Sequence, residues 1–421
     1  MLNFAMEFSR NGSFITLLFF TTEVVWGCLA KSMGVLLPTL RDQFTTETWI
    51  IGIVLALQGV TSDVAGLLAM PLEKRLGCRR VLIYGSVVAM MGLVSVAFAT
   101  STVHIALALA LLTGPTFGII TVLDKVLLGR HFTTHFALAC GIGHMGKGLA
   151  LLVIAPLTQL FLDTYGWRGA ALLIGGICMH LIPSAAVVQD VKPHYENISD
   201  ESSADSNDQK GFDTDGNISL KASCLGICKA MDLGILLEFN FWIVFMCNFG
   251  LTCTFDAWQL YFVPHLQVKG FSAQVAASLC TAAAVGYLIG TVIWSPFIDR
   301  GLIKCSTAII ISSLALTFSF VVDPWVNDVI GYVIITTICG LFASALYTLI
   351  DVMTKDILGI DRLVSAFGWM RALFFGRLIA GFVPGWMYDA RGSYDLAFVV
   401  IGIMPSVCLL PLVIGLMWKT F

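Results

Sequence analysis

Long apolar stretches alternate with short polar breaks from one end of this chain to the other. They cover residues 14–39, 48–71, 80–100, 105–129, 136–162 and 168–188, then 239–264, 272–297, 304–323, 328–354, 363–388 and 395–418. A helix rises about 1.5 Å per residue and a hydrocarbon core is about 30 Å thick, so each stretch is long enough to cross a bilayer. Barrel strands are excluded, because these are continuous apolar runs and not ten-residue alternations. The pattern predicts an all-α membrane protein: twelve transmembrane helices in two six-helix bundles. The bundles are expected at 14–189 and 235–418, after a short N-terminus (1–13) and on either side of a linker at 190–234.

Composition agrees with that solvent. With 57% hydrophobic and 12% charged residues, the chain cannot cover itself with a water-compatible surface. The net charge of −3 says little about partners, but its distribution says more. With both termini inside, fifteen Lys and Arg fall on the cytoplasmic side and four (Arg41, Arg168, Lys269, Arg391) on the outer side, a positive-inside asymmetry. No cleavable leader is expected, because the polar start runs into a span too long for one. The linker is acidic and poor in large apolar residues, and the reading makes it a mobile tether. Sequons at Asn11, Asn197 and Asn217 would then lie inside, out of reach of glycosylation. Cys224 and Cys228 have no matching ligand pair nearby, so no metal or other cofactor is expected. The basic group at Lys74, Arg75, Arg79 and Arg80 reads as an inner loop, with no nucleic-acid role.

The halves echo each other. Pro71 and Arg75 repeat as Pro296 and Arg300 at offset 225; Gly114 and Gly340, and Gly166 and Gly392, repeat at 226. Asp124 and Asp351, Gly141 and Gly368, and His144 and Arg371 repeat at 227. Parallel repeats place a solute path between two bundles at mid-membrane.

Ten ionisable residues interrupt the spans: Glu23, Lys31, Asp63, Asp124, Lys125, Lys147, Asp256, Asp351, Arg371 and Arg377. At about 2.5–3.5 kcal/mol per lipid-facing charge they must face water, pair, or lie near the interface. Spans 1, 4, 7 and 10 carry one acid each (Glu23, Asp124, Asp256, Asp351), which the two-repeat reading gathers around one cavity. Lys31 and Asp256 lie about equally deep and are expected to pair. Glu23 and Lys31, eight apart, are expected on roughly one face. Lys31 suits an organic anion, with Arg371 as a second anion contact. Asp124 and Asp351 serve equally well as inner-gate residues. Arg377 and Lys147 read as packed or snorkelling, and His144 as structural. No nucleophile triad, phosphate loop or other catalytic constellation occurs, so no enzyme activity is expected.

Several motifs resemble the monocarboxylate-transporter family of the major facilitator superfamily. They are Tyr165-Gly166-Trp167-Arg168-Gly169 entering span 6, Tyr388-Asp389 with Gly392-Ser393-Tyr394 entering span 12, and Asp299-Arg300-Gly301 after span 8. Leu138-Ala139 with Gly141, and Trp49 opening span 2, fit as well. The resemblance implies a multi-pass plasma-membrane secondary transporter moving a monocarboxylate or related small organic solute by alternating access. It adds a co-transported proton and a single-span escort glycoprotein as partners that such relatives use, and it sets Lys31 at the place of the family's cavity lysine. Proton-coupled members carry an Asp and an Arg four apart on span 8, where Ile289 and Ile293 stand by alignment. Two alternatives follow: a facilitative carrier of an amino-acid-like or zwitterionic solute without a proton, or a non-transporting sensor on the same fold.

Overall fold

The computed structural model describes residues 10–44, 47–188, 232–360, 362–373 and 375–417. Among them there is no strand, and eleven helical stretches are long and apolar enough to cross a membrane. In chain order these are α1 (Asn11–Phe44), α2 (Gly52–Leu76), α3 (Cys78–Ala97) and α4 (Thr102–His131), then Phe136–Val187. After the linker come α7 (Phe239–Val268), α8 (Ala273–Asp299), α9 (Cys305–Trp325), α10 (Val329–Leu358), α11 (Leu363–Arg391) and α12 (Asp395–Met417).

The stretch Phe136–Val187 has 52 residues, far beyond the roughly 20 that a bilayer requires. It breaks at Gly166, whose φ of 69° and ψ of 177° lie where a Cβ is strained. We call the limbs α5 (136–165) and α6 (167–187). α5 runs parallel to α1: a Cβ on Gly143 would meet Phe19, one on Gly27 would meet Ala150, and Ser32 Oγ bonds Thr158 Oγ1 at 2.9 Å. α6 runs back along α3, since Arg168 donates to Ala99 O at one end and Arg79 donates to Ala186 O at the other. The chain therefore reverses at Gly166, and the eleven stretches make twelve crossings. Gly392 turns between α11 and α12 with φ 73°, at the same place in the second half.

The repeat is visible in the packing. A Cβ on Gly114 of α4 would lie 2.6 Å from Gln58 O of α2, and one on Gly340 of α10 1.9 Å from Ala283 O of α8. Between halves, Gly141 of α5 seats on Ser295 of α8, while Gly368 of α11 seats on Leu67 of α2. Small residues let these backbones approach where lipid offers no hydrophobic drive to associate.

We call the side holding the start of α1 and both ends of the linker the linker face. There Asp299 accepts from the amides of Ala137 and Leu138 at the start of α5 (3.2 and 2.9 Å), a helix-start anion site that joins the halves. Lys355 Nζ donates to Phe132 O at 2.5 Å. Arg362 donates to Asp232 at 2.8 Å and to Glu238; its hydrogen bonds to Asp232, then to Glu238, raise it above the ordinary guanidinium pKa. On the far face a Cβ on Gly34 of α1 would lie 2.8 Å from Gln259 O of α7, and one on Gly52 of α2 would lie 2.6 Å from Gly381 O of α11. Most of the linker with Asn197, Asn217, Cys224 and Cys228, and the side chain of Trp49, lie outside the described residues.

Candidate functional site

Between the halves lies a cavity of about 930 Å³, its open mouth included, lined from α1, α2, α4, α5, α7, α10 and α11. Seven charged side chains reach it: Glu23, Asp63 and Asp351 against Lys125, Lys147, Arg371 and Arg377. Burial of charge is tolerable when each ion finds a partner, and here most partners come from the opposite half. Lys125 Nζ lies 2.8 Å from Asp351 Oδ1, and His144 Nε2 2.9 Å from Asp351 Oδ2. Asp63 receives Arg371 Nη2 at 3.1 Å and Arg377 Nε at 2.6 Å. Arg371 also donates to Ser62 Oγ at 2.9 Å, and Arg377 extends Nη1 to Asp256 Oδ2 at 3.0 Å.

The remaining cation is held differently. Lys147 Nζ has no hydrogen bond among the described residues; it lies 3.8 Å from Glu23 Oε2 and 3.8 Å above the Tyr347 ring. His144 Nδ1 faces Glu23 Oε2 at 3.7 Å, and both atoms are buried without a hydrogen-bond partner among the described residues.

A second cavity, about 610 Å³, lies toward the far face, with Trp26 and Arg377 in the walls of both. Its lining includes Asp256, Gln58 and Gln259 among apolar residues.

Of the six residues expected at the site, Glu23, Asp351 and Arg371 line the larger cavity, and Asp256 lines the second. Asp124 and Lys31 line neither. Asp124 turns back onto its own helix, accepting from the amide of Lys125 at 2.7 Å. The four acids therefore do not share one cavity, because equal depth does not set which side of a helix faces inward. Lys31 does not pair with Asp256. Its ammonium, fully buried, donates to Gln259 O at 3.3 Å and lies 4.7 Å over Trp258 and 5.7 Å over Phe262, with no carboxylate in ion-pair range among the described residues. Eight residues turn a helix by about 80° beyond two full turns, so Glu23 and Lys31 look in different directions.

Further corrections concern residues set aside. Arg377 and Lys147 do not snorkel; they line the larger cavity. His144 joins the halves through Asp351, and its repeat partner Arg371 does so through Asp63, a signal the 227-residue offset already contained. Asp63 and Lys125 carried no signal beyond being charges in spans. Ile289 and Ile293 are 43% and 45% exposed on the outer side of α8, so their apolarity has no bearing on the cavity. Among the described residues of this helix, the buried serine and threonine that stand four apart are Thr291 and Ser295, 2% and 1% exposed.

The family model of the Major Facilitator Superfamily matches residues 13–277 and 241–420. The chain belongs to the major facilitator superfamily. Within it, the chain is 26% identical to monocarboxylate transporter 12 of Rattus norvegicus, over 90% of this chain and 79% of the relative. Monocarboxylate transporter 12 of Xenopus laevis is 26% identical over 92% of this chain and 84% of its own. Monocarboxylate transporter 11 of Homo sapiens is 39% identical over 166 residues, 38% of this chain and 34% of its own. Among solved structures, the transporter FucP in its outward conformation superposes with a TM-score of 0.63 at 16% identity, covering 94% of this chain and 97% of that one. That likeness speaks to the fold. The protein is thus a multi-pass transporter of this superfamily, similar along most of its length to monocarboxylate transporters.

Proposed function

We propose that this protein moves a monocarboxylate or closely related small organic anion through the larger cavity by alternating access, together with a proton. The supporting observation is Lys147: an ammonium whose side chain is 4% exposed, at the cavity wall, held among the described residues by a 3.8 Å ion pair and by the faces of Tyr347 and Phe255. An incoming carboxylate gains a charge-assisted bond there without first displacing one. The lining carries four cations against three carboxylates, a local surplus of one, whereas the ten charges within the spans balance five to five. The similarity to monocarboxylate transporters points to the same class of solute.

The ion pairs supply the moving parts. Lys125–Asp351, His144–Asp351, Asp63–Arg371 and Asp63–Arg377 cross between halves. Rocking one bundle against the other must break some of them, and a solute carboxylate repays part of that cost by taking over a cation. The facing, unpartnered His144 Nδ1 and Glu23 Oε2 are the natural seat for one proton, which would bridge them and release Lys147 to the anion. In this reading the protein works in the plasma membrane with both termini and the linker in the cytoplasm.

Uptake of a radiolabelled monocarboxylate panel into proteoliposomes tests this. Saturable uptake faster under an inward proton gradient is expected, lowered about tenfold or more in Lys147→Gln and made insensitive to the gradient in His144→Gln. Absence of uptake across the panel rejects the carrier reading. Full activity in Lys147→Gln rejects the anion seat.

A further inference from the structure

The second cavity poses a problem of hydrogen-bond accounting. Gln58 and Gln259 are 5% and 2% exposed and both line it. Gln58 Nε2, Gln259 Nε2 and Gln259 Oε1 have no hydrogen-bond partner among the described residues. The rest of the wall is apolar (Trp26, Leu29, Met33 and Leu260 among it) apart from Asp256 and Arg377, which pair with each other at 3.0 Å. A buried donor or acceptor left unpaired costs about 1–3 kcal/mol, so two such amides aimed into one void mark a place built for a ligand's polar atoms.

The donor set selects the chemistry. Two unpartnered amide nitrogens, each an NH2 donor, call for an acceptor; one unpartnered amide oxygen calls for a donor. A carboxylate accepts only and would strand Gln259 Oε1. An ammonium donates only and would strand both nitrogens. A neutral group carrying C=O beside N–H satisfies all three. Arg377 stands in the partition toward the charged cavity.

We infer that the second cavity is a solute subsite for a secondary amide on an apolar body, so that the protein accepts N-acylated amino acids. The amide carbonyl accepts from Gln58 and Gln259, its N–H donates to Gln259 Oε1, the aliphatic part packs on Leu29 and Met33, and the carboxylate turns toward Arg377. The assignment of the carboxylate rests on the carrier reading above; the amide recognition rests on the glutamines alone.

The test is equilibrium binding to the purified full chain in lipid nanodiscs. The probes are N-acetyl-L-leucine and its ester counterpart 2-acetoxy-4-methylpentanoate, equal in shape and charge but lacking the N–H. The amide is expected to bind about tenfold tighter or more, and Gln259→Leu is expected to remove that preference, weakening the amide more than the ester. Equal affinities in the unaltered protein, or equal weakening of both probes by Gln259→Leu, overturn the inference. Should Gln259→Leu fail to melt cooperatively, Gln58→Leu carries the test: losing the shared carbonyl donor should weaken both probes about tenfold, and unchanged affinities overturn the subsite. Amide preference without transport of any monocarboxylate would sink the carrier reading alone; transport without amide preference would sink this inference alone.

Discussion

Lys31 illustrates how much of a residue's meaning comes from its immediate surroundings. A lone buried ammonium is costly, and among the described residues this one is compensated by no carboxylate but by a carbonyl at 3.3 Å and aromatic faces, a cation–π contact worth about 2 kcal/mol when desolvated. Replacing it by an isosteric hydrophobe removes that burden. Lys31→Met is therefore expected to raise the melting temperature in detergent while lowering uptake, the signature of a residue kept for function at a cost in stability. A lower melting temperature would make Lys31 a structural residue. Asp63 is the opposite case, since one carboxylate compensates two guanidinium groups. Asp63→Asn should cost about 3–5 kcal/mol, the usual result of orphaning a buried charge. Adding Arg371→Gln should restore part of it, because Arg377 keeps Asp256. Chemical denaturation of the single and double variants reads the coupling, and strict additivity would show that the three groups do not act together.

Glycines decide how the helices meet. On the far face α1 presses on α7 at Gly34, and α2 presses on α7 and α11 at Gly52, where a Cβ would overlap Tyr261 and Gly381. A larger side chain must part these helices or bend them. Gly52→Leu is expected to favour the state open at the far face. With Ala30→Cys as reporter in the second cavity, in a background cleared of the other cysteines, a membrane-impermeant maleimide should label faster from that face. Unchanged labelling would mean that the α2–α11 contact does not gate the path. The same packing logic was half legible in the chain: offsets of 225–227 paired Gly114 with Gly340 and Gly166 with Gly392, and both pairs occupy equivalent contacts or turns. Which helix each glycine would touch was not legible, since periodicity says nothing of neighbours.

Across the whole molecule, the ion pairs and the α5–α8 and α2–α11 contacts hold the halves together, while the acidic segment between them has no composition suited to a core. An engineered protease site near residue 210 of the full chain should thus be cleavable in proteoliposomes with uptake preserved. Loss of uptake on cleavage would assign the segment a coupling role.

Spans, halves, repeat and the roster of buried charges were all open to reading along the chain, because membrane crossing and duplication leave one-dimensional traces: length, polarity and offset. Partner choice was not. Lys31 and Asp256 come to comparable depths yet part ways, Lys31 to aromatic rings and Asp256 to Arg377. Lys147, Asp63 and His144 prove central for the same reason: each residue rotates a side chain by about 100° around its helix, and only the packing of twelve helices fixes which direction is inward.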